Sequence, residues 1–318
     1  MNPAAPLPRI PVYLLTGFLG SGKTTFLNTL LQRWEGKRVV VIENEFGSTS
    51  IDGALVSAAV NQVYELANGC ICCSLDHELI EVLAELIKPE NRPDILVIEA
   101  SGVADPGTVG AIFKREDVLQ YFHLEKIIAL ADAENVADRL EETVEAGRQL
   151  VAADGIIINK CDAVHPDYLV EVQQQLARIN PIASYVFARY GQVPDTFLTQ
   201  EVSRERLLLQ PLAEEETHTP GLKSMVFGFK QPFDRDKLSA VLSMRLFVSY
   251  AQLYRVKGFV DIQGQPHRWL LQSTGKKLTF VDMGPWPETL PRQSALVFIG
   301  KGLERLAMQR MLDQALAE

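Results

Sequence analysis

Long apolar runs are missing from this sequence of 318 residues. No stretch approaches the roughly 18 residues that cross a bilayer, so no membrane span is expected. The opening Met1-Asn2-Pro3-Ala4-Ala5-Pro6-Leu7-Pro8-Arg9 sets prolines where the apolar helix of a signal peptide would stand. Export is therefore not expected, and the cytoplasm is the expected location. Positive charge is also in short supply: 31 Lys and Arg stand against 40 Asp and Glu, a formal net charge of −9. Such a chain has no surplus of cations to neutralise a phosphate backbone, which argues against generic nucleic-acid binding. Only five histidines and four cysteines are present. Three of those cysteines crowd into Cys70-Ile71-Cys72-Cys73. Clustered thiols in a reducing compartment point to metal or redox chemistry rather than to a disulfide framework. What remains is 47% apolar and 22% charged, the composition of an ordinary globular protein.

The length suggests about two domains. Short, nearly continuous β-branched runs recur at Val12–Leu15, Val39–Ile42, Ile95–Ile98, Ile127–Leu130, Ile156–Ile158 and Tyr185–Phe187, as parallel strands buried on both faces require. Helical patterns lie between them. Phe26, Leu27, Leu30, Leu31 and Trp34 form one apolar stripe, and further helices are expected over Leu79–Ile87 and Val136–Ala152. This alternation predicts an α/β fold with a doubly wound, mostly parallel sheet over residues 1–194, whose ligands sit beyond the strand carboxyl ends. Residues 195–221, with Glu214-Glu215-Glu216, read as a linker holding one short helix. Residues 222–318 predict a smaller α+β domain with an antiparallel sheet. Its strands are expected at Ser224–Phe229, Tyr254–Ile262, Trp269–Ser273, Leu278–Asp282 and Ala295–Ile299, with a helix capped by Asp234 and a last helix from Leu303.

Gly17-Phe18-Leu19-Gly20-Ser21-Gly22-Lys23-Thr24 fits G-x-x-x-x-G-K-[ST] directly after a strand and before a helix. Glycines at 17, 20 and 22 let consecutive backbone N–H groups turn toward phosphate oxygens, joined by Ser21 and Thr25. The helix adds the positive end of its dipole. Lys23 is expected on the β- and γ-phosphates and the Thr24 hydroxyl on Mg²⁺. Glu99 ends an apolar strand and supports the magnesium shell, and the Gly102 N–H, after Ser101, is placed to sense a γ-phosphate. Asn159-Lys160-Cys161-Asp162 follows a late strand. A carboxylate at Asp162 can accept from the two donors on the guanine edge, a pair adenine lacks, so GTP is preferred over ATP. Asn159 and Lys160 brace that loop and cover the base, while Cys161 reads as a small filler. Cys70, Cys72 and Cys73 supply two or three thiolates to Zn²⁺ or to a similar ion such as Co²⁺ or Ni²⁺. Glu43, Glu45, His77 and Glu78 are candidates to complete the shell. An incomplete protein shell suits a transferable ion better than a permanent structural one.

Together these blocks resemble the CobW-like family of P-loop GTPases, which act as metal chaperones or in metal-cofactor assembly. The resemblance rests on GFLGSGKTT at Gly17–Thr25, ENEFG at Glu43–Gly47, GCICC at Gly69–Cys73, IEASGVADP at Ile98–Pro106 and ADGIIINKCD at Ala153–Asp162. Arg255-Val256-Lys257-Gly258 and Val297-Phe298-Ile299-Gly300 resemble the family's second domain. The resemblance implies a GTPase whose nucleotide state is coupled to metal held by the CxCC segment, and a client metalloprotein as partner. Two departures stand out. Relatives often carry Glu where this chain has Ser48, and many have a histidine-rich junction where this chain has only His218. In the expected cycle the loops over Glu43–Asp52 and Cys70–Cys73 rearrange with the γ-phosphate. Glu45 or Asp52 is expected to orient the attacking water, the sequence not choosing between them, and no arginine finger is evident, so intrinsic turnover is expected to be slow. The CxCC segment also has the chemistry to bridge two chains through one metal. A regulatory or docking protein with little intrinsic hydrolysis is the alternative reading.

Overall fold

The chain is described here as a computed structural model covering residues 7–44, 62–65, 75–100, 105–199, 222–249, 252–286 and 291–317. Seven strands pair in parallel throughout: β1 (Ile10–Gly17), β2 (Val39–Asn44), β3 (Gln62–Glu65), β4 (Ile95–Ala100), β5 (Phe122–Asp132), β6 (Gly155–Asn159) and β7 (Ser184–Phe187). Their order is β3-β2-β4-β1-β5-β6-β7. The chain runs outward in both directions from β1, so a crevice opens beyond the carboxyl end of that strand, where ligands of doubly wound sheets sit. Helix α1 (Lys23–Arg33) leaves this crevice with Phe26, Leu27, Leu30 and Leu31 buried, the stripe expected from its spacing. The strand Gln62–Glu65 was not foreseen. It is an edge strand, and its short Gln-Val-Tyr-Glu sequence lacks the continuous apolar run that marks a buried neighbour.

The single helix expected over Val136–Ala152 is in fact two, α5 (Val136–Glu142) and α6 (Val144–Ala152), and Thr143 makes the break. Its backbone is extended, at φ −137° and ψ 141°, and its hydroxyl accepts from the Ala146 N–H at 3.4 Å, capping the second helix. A β-branched side chain that can cap is better placed at a helix end than in its interior. Further helices described in this half are α2 (Leu75–Leu86), α3 (Pro106–Ile112), α4 (Glu116–Leu119) and α7 (Pro166–Ile179). The short helix α8 (Asp195–Thr199) buries Phe197 and Leu198 in the same cluster as Leu15 and Phe26.

The second sheet is antiparallel: β8 (Leu222–Phe229), β9 (Leu253–Asp261), β10 (His267–Thr274), β11 (Lys277–Pro285) and β12 (Ser294–Lys301), in the order β11-β10-β9-β12-β8. Asp234 caps α9 (Arg235–Val248) as expected, its Oδ1 accepting from the Asp236 and Lys237 N–H groups at 2.9 Å each. Along β12 the side chains alternate. Leu296 and Phe298 pack with α9 and α10 (Arg305–Asp313), whereas Ala295, Val297 and Ile299 pack against Leu150, Val151, Val172 and Leu176 of the first sheet's helices. The period-two alternation of a strand thus faces two cores. Among the described residues no helix is long and apolar enough to cross a membrane.

Asp154, just ahead of β6, pins the two sheets together. Its carboxylate meets the Arg255 guanidinium at 2.5 Å and the Lys257 ammonium at 2.8 Å, and accepts from the Ile127 N–H at 3.1 Å. Arg255 also donates to Val151 O at 2.9 Å and to Ala152 O, closing the carboxyl end of α6. Burial pushes the Asp154 carboxyl up, but the Lys257 and Arg255 charges outweigh it and hold the group well below the usual carboxylate range. Asp154→Asn is expected to cost about 2–4 kcal/mol in urea unfolding, since it leaves two cations around a neutral amide. A folded pKa below the unfolded one stabilises at pH above the unfolded value and is lost as pH falls. The gap between wild type and variant should therefore hold from about pH 8 to about pH 5 and narrow only below about pH 4.

Candidate nucleotide site

The loop between β1 and α1 has a backbone that only glycine accommodates at two points. Gly17 sits at φ +138°, and a Cβ there would lie 2.4 Å from Leu130 O. Gly22 sits at φ +98°, and a Cβ there would lie 2.4 Å from Asn159 Nδ2. Gly22 is also the N-cap of α1. It offers no side-chain acceptor, and the first turn of the helix contains no acid. The helix therefore leaves its first N–H groups and the positive end of its dipole to a ligand. Lys23 is buried, and its Nζ donates to Gly17 O at 3.1 Å and Phe18 O at 3.4 Å, which holds the ammonium against the inside of the loop. The hydroxyls of Thr16 and Ser21 are buried with no hydrogen-bond partner among the described residues. Buried hydroxyls of this kind are open to hydrogen bonds from a ligand. Thr24 is half-buried at the helix start and Thr25 is exposed.

Asn159 joins this loop to the far side of the sheet. Its Nδ2 donates to Ser21 O at 3.0 Å, and its Oδ1 accepts from the Gly191 N–H at 3.1 Å. Lys160 stands at φ +59° and directs its ammonium to Asp132 Oδ2 at 2.8 Å. Cys161 is buried, its thiol donating to Ile158 O at 3.0 Å, a filler as its sequence context suggests. Asp162 is exposed at the rim, where a carboxylate can meet an incoming base.

Two partners of this cluster escaped the sequence reading. Asp132 closes β5 and orients Lys160. Burial pushes its carboxyl up, but the bonds from Lys160, Asn135 and the Glu134 N–H bring it below its ordinary value. An acid ending the apolar run Ile127–Ala131 was the available signal. The second is the turn after β7, where Tyr190 and Gly191 both have positive φ, at 52° and 70°. A Cβ on Gly191 would lie 2.7 Å from the Phe26 Cα, so this turn rests directly on α1.

On the other flank the strand register lines up Glu65, Glu43 and Glu99 as successive Cα partners, with Leu15 of β1 beside Glu99. Glu43 is buried and Glu99 half-buried, near the carboxyl ends of β2 and β4. His77 is well exposed on α2 and lies 3.3 Å from Glu81 Oε1. Cys70, Cys72, Cys73, Glu45, Asp52 and Gly102 lie outside the described residues. Among the described residues no three His, Cys, Asp or Glu side chains form a metal cluster.

These bonds make Asn159 a positioning residue. Asn159→Ala should weaken GDP affinity about tenfold to a hundredfold in a fluorescent-nucleotide titration, roughly 1.4–2.8 kcal/mol. Gly22→Ala should weaken it at least as much, because strain and collision act together.

A model of the nucleotide-binding domain described as CobW/HypB/UreG matches residues 11–187, and one described as the cobalamin synthesis protein cobW C-terminal domain matches residues 222–316. The zinc chaperone YjiA of Escherichia coli (strain K12) is 34% identical over 313 residues, covering 94% of this chain and 95% of its own. A zinc chaperone CobW from Pseudomonas aeruginosa is 30% identical over 364 residues, covering 99% and 94%. The crystal structure of Zn(II)-bound YjiA GTPase from E. coli superimposes with a TM-score of 0.73 at 28% identity, covering 98% of this chain and 100% of that one. A Zn(II)-bound triple variant of YjiA GTPase, with one glutamate and two cysteines changed to alanine, gives 0.75 at 27% identity with the same coverage.

Proposed function

Because the chain belongs to the CobW/HypB/UreG family of P-loop GTPases, we propose that it hydrolyses GTP to control the capture and release of a transition-metal ion, zinc in the first instance. The observation that carries this reading is the register of β2 and β4, in which Glu43 and Glu99 are direct Cα partners. Glu99 stands one strand from the P-loop strand β1, and Glu43 opens the segment that continues toward Glu45 and Asp52. In this reading a group that responds to the γ-phosphate and a group that responds to the cargo metal are neighbours near the carboxyl ends of two adjacent strands.

In this reading the backbone of Gly17–Thr25 and the Lys23 ammonium bind the phosphates, with Gly102 as a further N–H donor. Thr24 and Glu99 would hold Mg²⁺, and the orphaned Thr16 and Ser21 hydroxyls suit a ligand of phosphate and metal-bound water. Magnesium supplies charge neutralisation across the β- and γ-phosphates when bound. Asp162 takes the guanine edge while Asn159 and Lys160 hold its loop in place. Glu45 or Asp52 orients the attacking water. Cys70, Cys72 and Cys73, with Glu43, Glu45 or His77, hold the metal as cargo for a client metalloprotein. The zinc-chaperone names of the relatives support zinc as that ion, and thiolates with a carboxylate or imidazole match its preferences.

Base selection and metal capture are tested separately. Asp162→Ala should lower GTP affinity about tenfold to a thousandfold and leave ATP affinity unchanged, because only guanine loses a paired acceptor. Equal losses for both nucleotides would contradict the assignment. In a zinc competition titration, the Cys70, Cys72 and Cys73 to Ser triple variant should lose the tight site while GTP turnover without metal persists. Retention of tight zinc would remove the CxCC segment from the proposal.

A further inference from the structure

A cavity of about 490 Å³ lies between the two sheets. It sits at the amino-terminal end of the parallel strands, since Arg9 precedes β1, Lys126 lies early in β5 and Asp154 precedes β6. It is therefore at the opposite end of the sheet from the P-loop. Its volume falls in the range of roughly 300–1,000 Å³ typical of small-molecule sites. Five cationic side chains line it, Arg9, Lys114 and Lys126 from the first half and Arg255 and Lys257 from the second, against two carboxylates among the described residues. Both carboxylates are already engaged. Glu125 holds His123 at 2.9 Å, and Asp154 serves both Arg255 and Lys257. A chain of net charge −9 thus concentrates positive charge in one internal space.

The clamp of Asp154 with Arg255 and Lys257 explains why two of the cations are there. It does not engage the Lys114 ammonium. The Lys114 ammonium makes no hydrogen bond or ion pair among the described residues, yet burial pushes it below the ordinary value, with Lys257, Arg255 and Arg9 adding to the effect against Asp154. Lys126 donates to the neutral Phe197 carbonyl and lies 4.6 Å from the Phe197 ring centroid. Burial, reinforced by Lys257, brings it down to about 8 in spite of Asp154 and Glu125. Desolvated cations facing one another cost stability unless a ligand supplies the counter-charge. Apolar walls from Phe259, Leu270 and Met283 complete the space. We propose that this cavity binds a small organic polyanion, a molecule with two or more carboxylate or phosphate groups on a compact apolar body, held between the lysines of the first half and the Arg255–Lys257 pair of the second. Such a ligand touches both sheets at once, so its binding bears on how they are held together.

The test uses the full-length protein saturated with Mg·GDP, so that the P-loop is occupied. Isothermal titration calorimetry is run with benzene tricarboxylate for the carboxylate class and a hexose bisphosphate for the phosphate class. The same titrations are made on Lys114→Met and Lys126→Met. Lys114→Met removes no bond of the fold, and its GDP affinity should equal that of wild type. Saturable binding of at least one probe, weakened tenfold or more in either variant, is the expected result, and the probe that binds identifies the class. No saturable binding of either probe at millimolar concentration would overturn the proposal, as would wild-type affinity in both variants.

Discussion

The Asn159 carboxamide is the joint on which the nucleotide site depends. A phosphate-binding loop presents its N–H groups only while its backbone stays in the left-handed turns at Gly20 and Gly22, which requires Ser21 O, between them, to be held in place. Asn159 does so with one amide proton, while its oxygen takes the Gly191 N–H. One side chain therefore sets the phosphate loop, the Asn-Lys-x-Asp loop and the turn after β7 relative to each other. Gly22 must be glycine for the same reason, since a Cβ would occupy the space of this amide. Lys160, anchored on Asp132, fixes the other side of the loop.

Helix α6 extends that arrangement to the second sheet. Ala146 and Leu150 on this helix and Phe18 of the phosphate loop share one apolar cluster with Phe259, Val297 and Ile299. At the far end of α6 the Val151 and Ala152 carbonyls accept from Arg255. The loop between β1 and α1 and the second sheet are thus in contact through nine residues of one helix. Close-packed interiors transmit displacement rather than absorb it, and this packing joins Phe18 to the Asp154 clamp and to the cavity beside it.

Much of this was legible in the sequence because it is written in local patterns. The continuous apolar runs mark buried parallel strands, the change after residue 222 to one helix followed by successive strand runs marks the antiparallel sheet, and the P-loop stands between its strand and its helix. What was not legible depends on neighbours distant in the chain. Asp132 gains a role only because β5 and β6 are adjacent, and Gly191 only because β7 ends beside α1. Thr143 divides a helical pattern through a capping bond that hydrophobic spacing does not register. Arg255 and Lys257 were visible as a motif, but their partner Asp154 is about a hundred residues away, and the charge imbalance of the cavity exists only once the two sheets meet.

The proposed coupling of nucleotide state to metal makes the sharpest demand on this arrangement. Zinc affinity measured by competition titration on the reduced protein, without nucleotide, with Mg·GDP and with a non-hydrolysable Mg·GTP analogue, addresses it directly. The account predicts a shift of tenfold or more between the GDP and GTP states, about 1.4 kcal/mol of coupling. Identical zinc affinity in all three states would contradict it and leave a GTPase whose metal site is independent of its nucleotide.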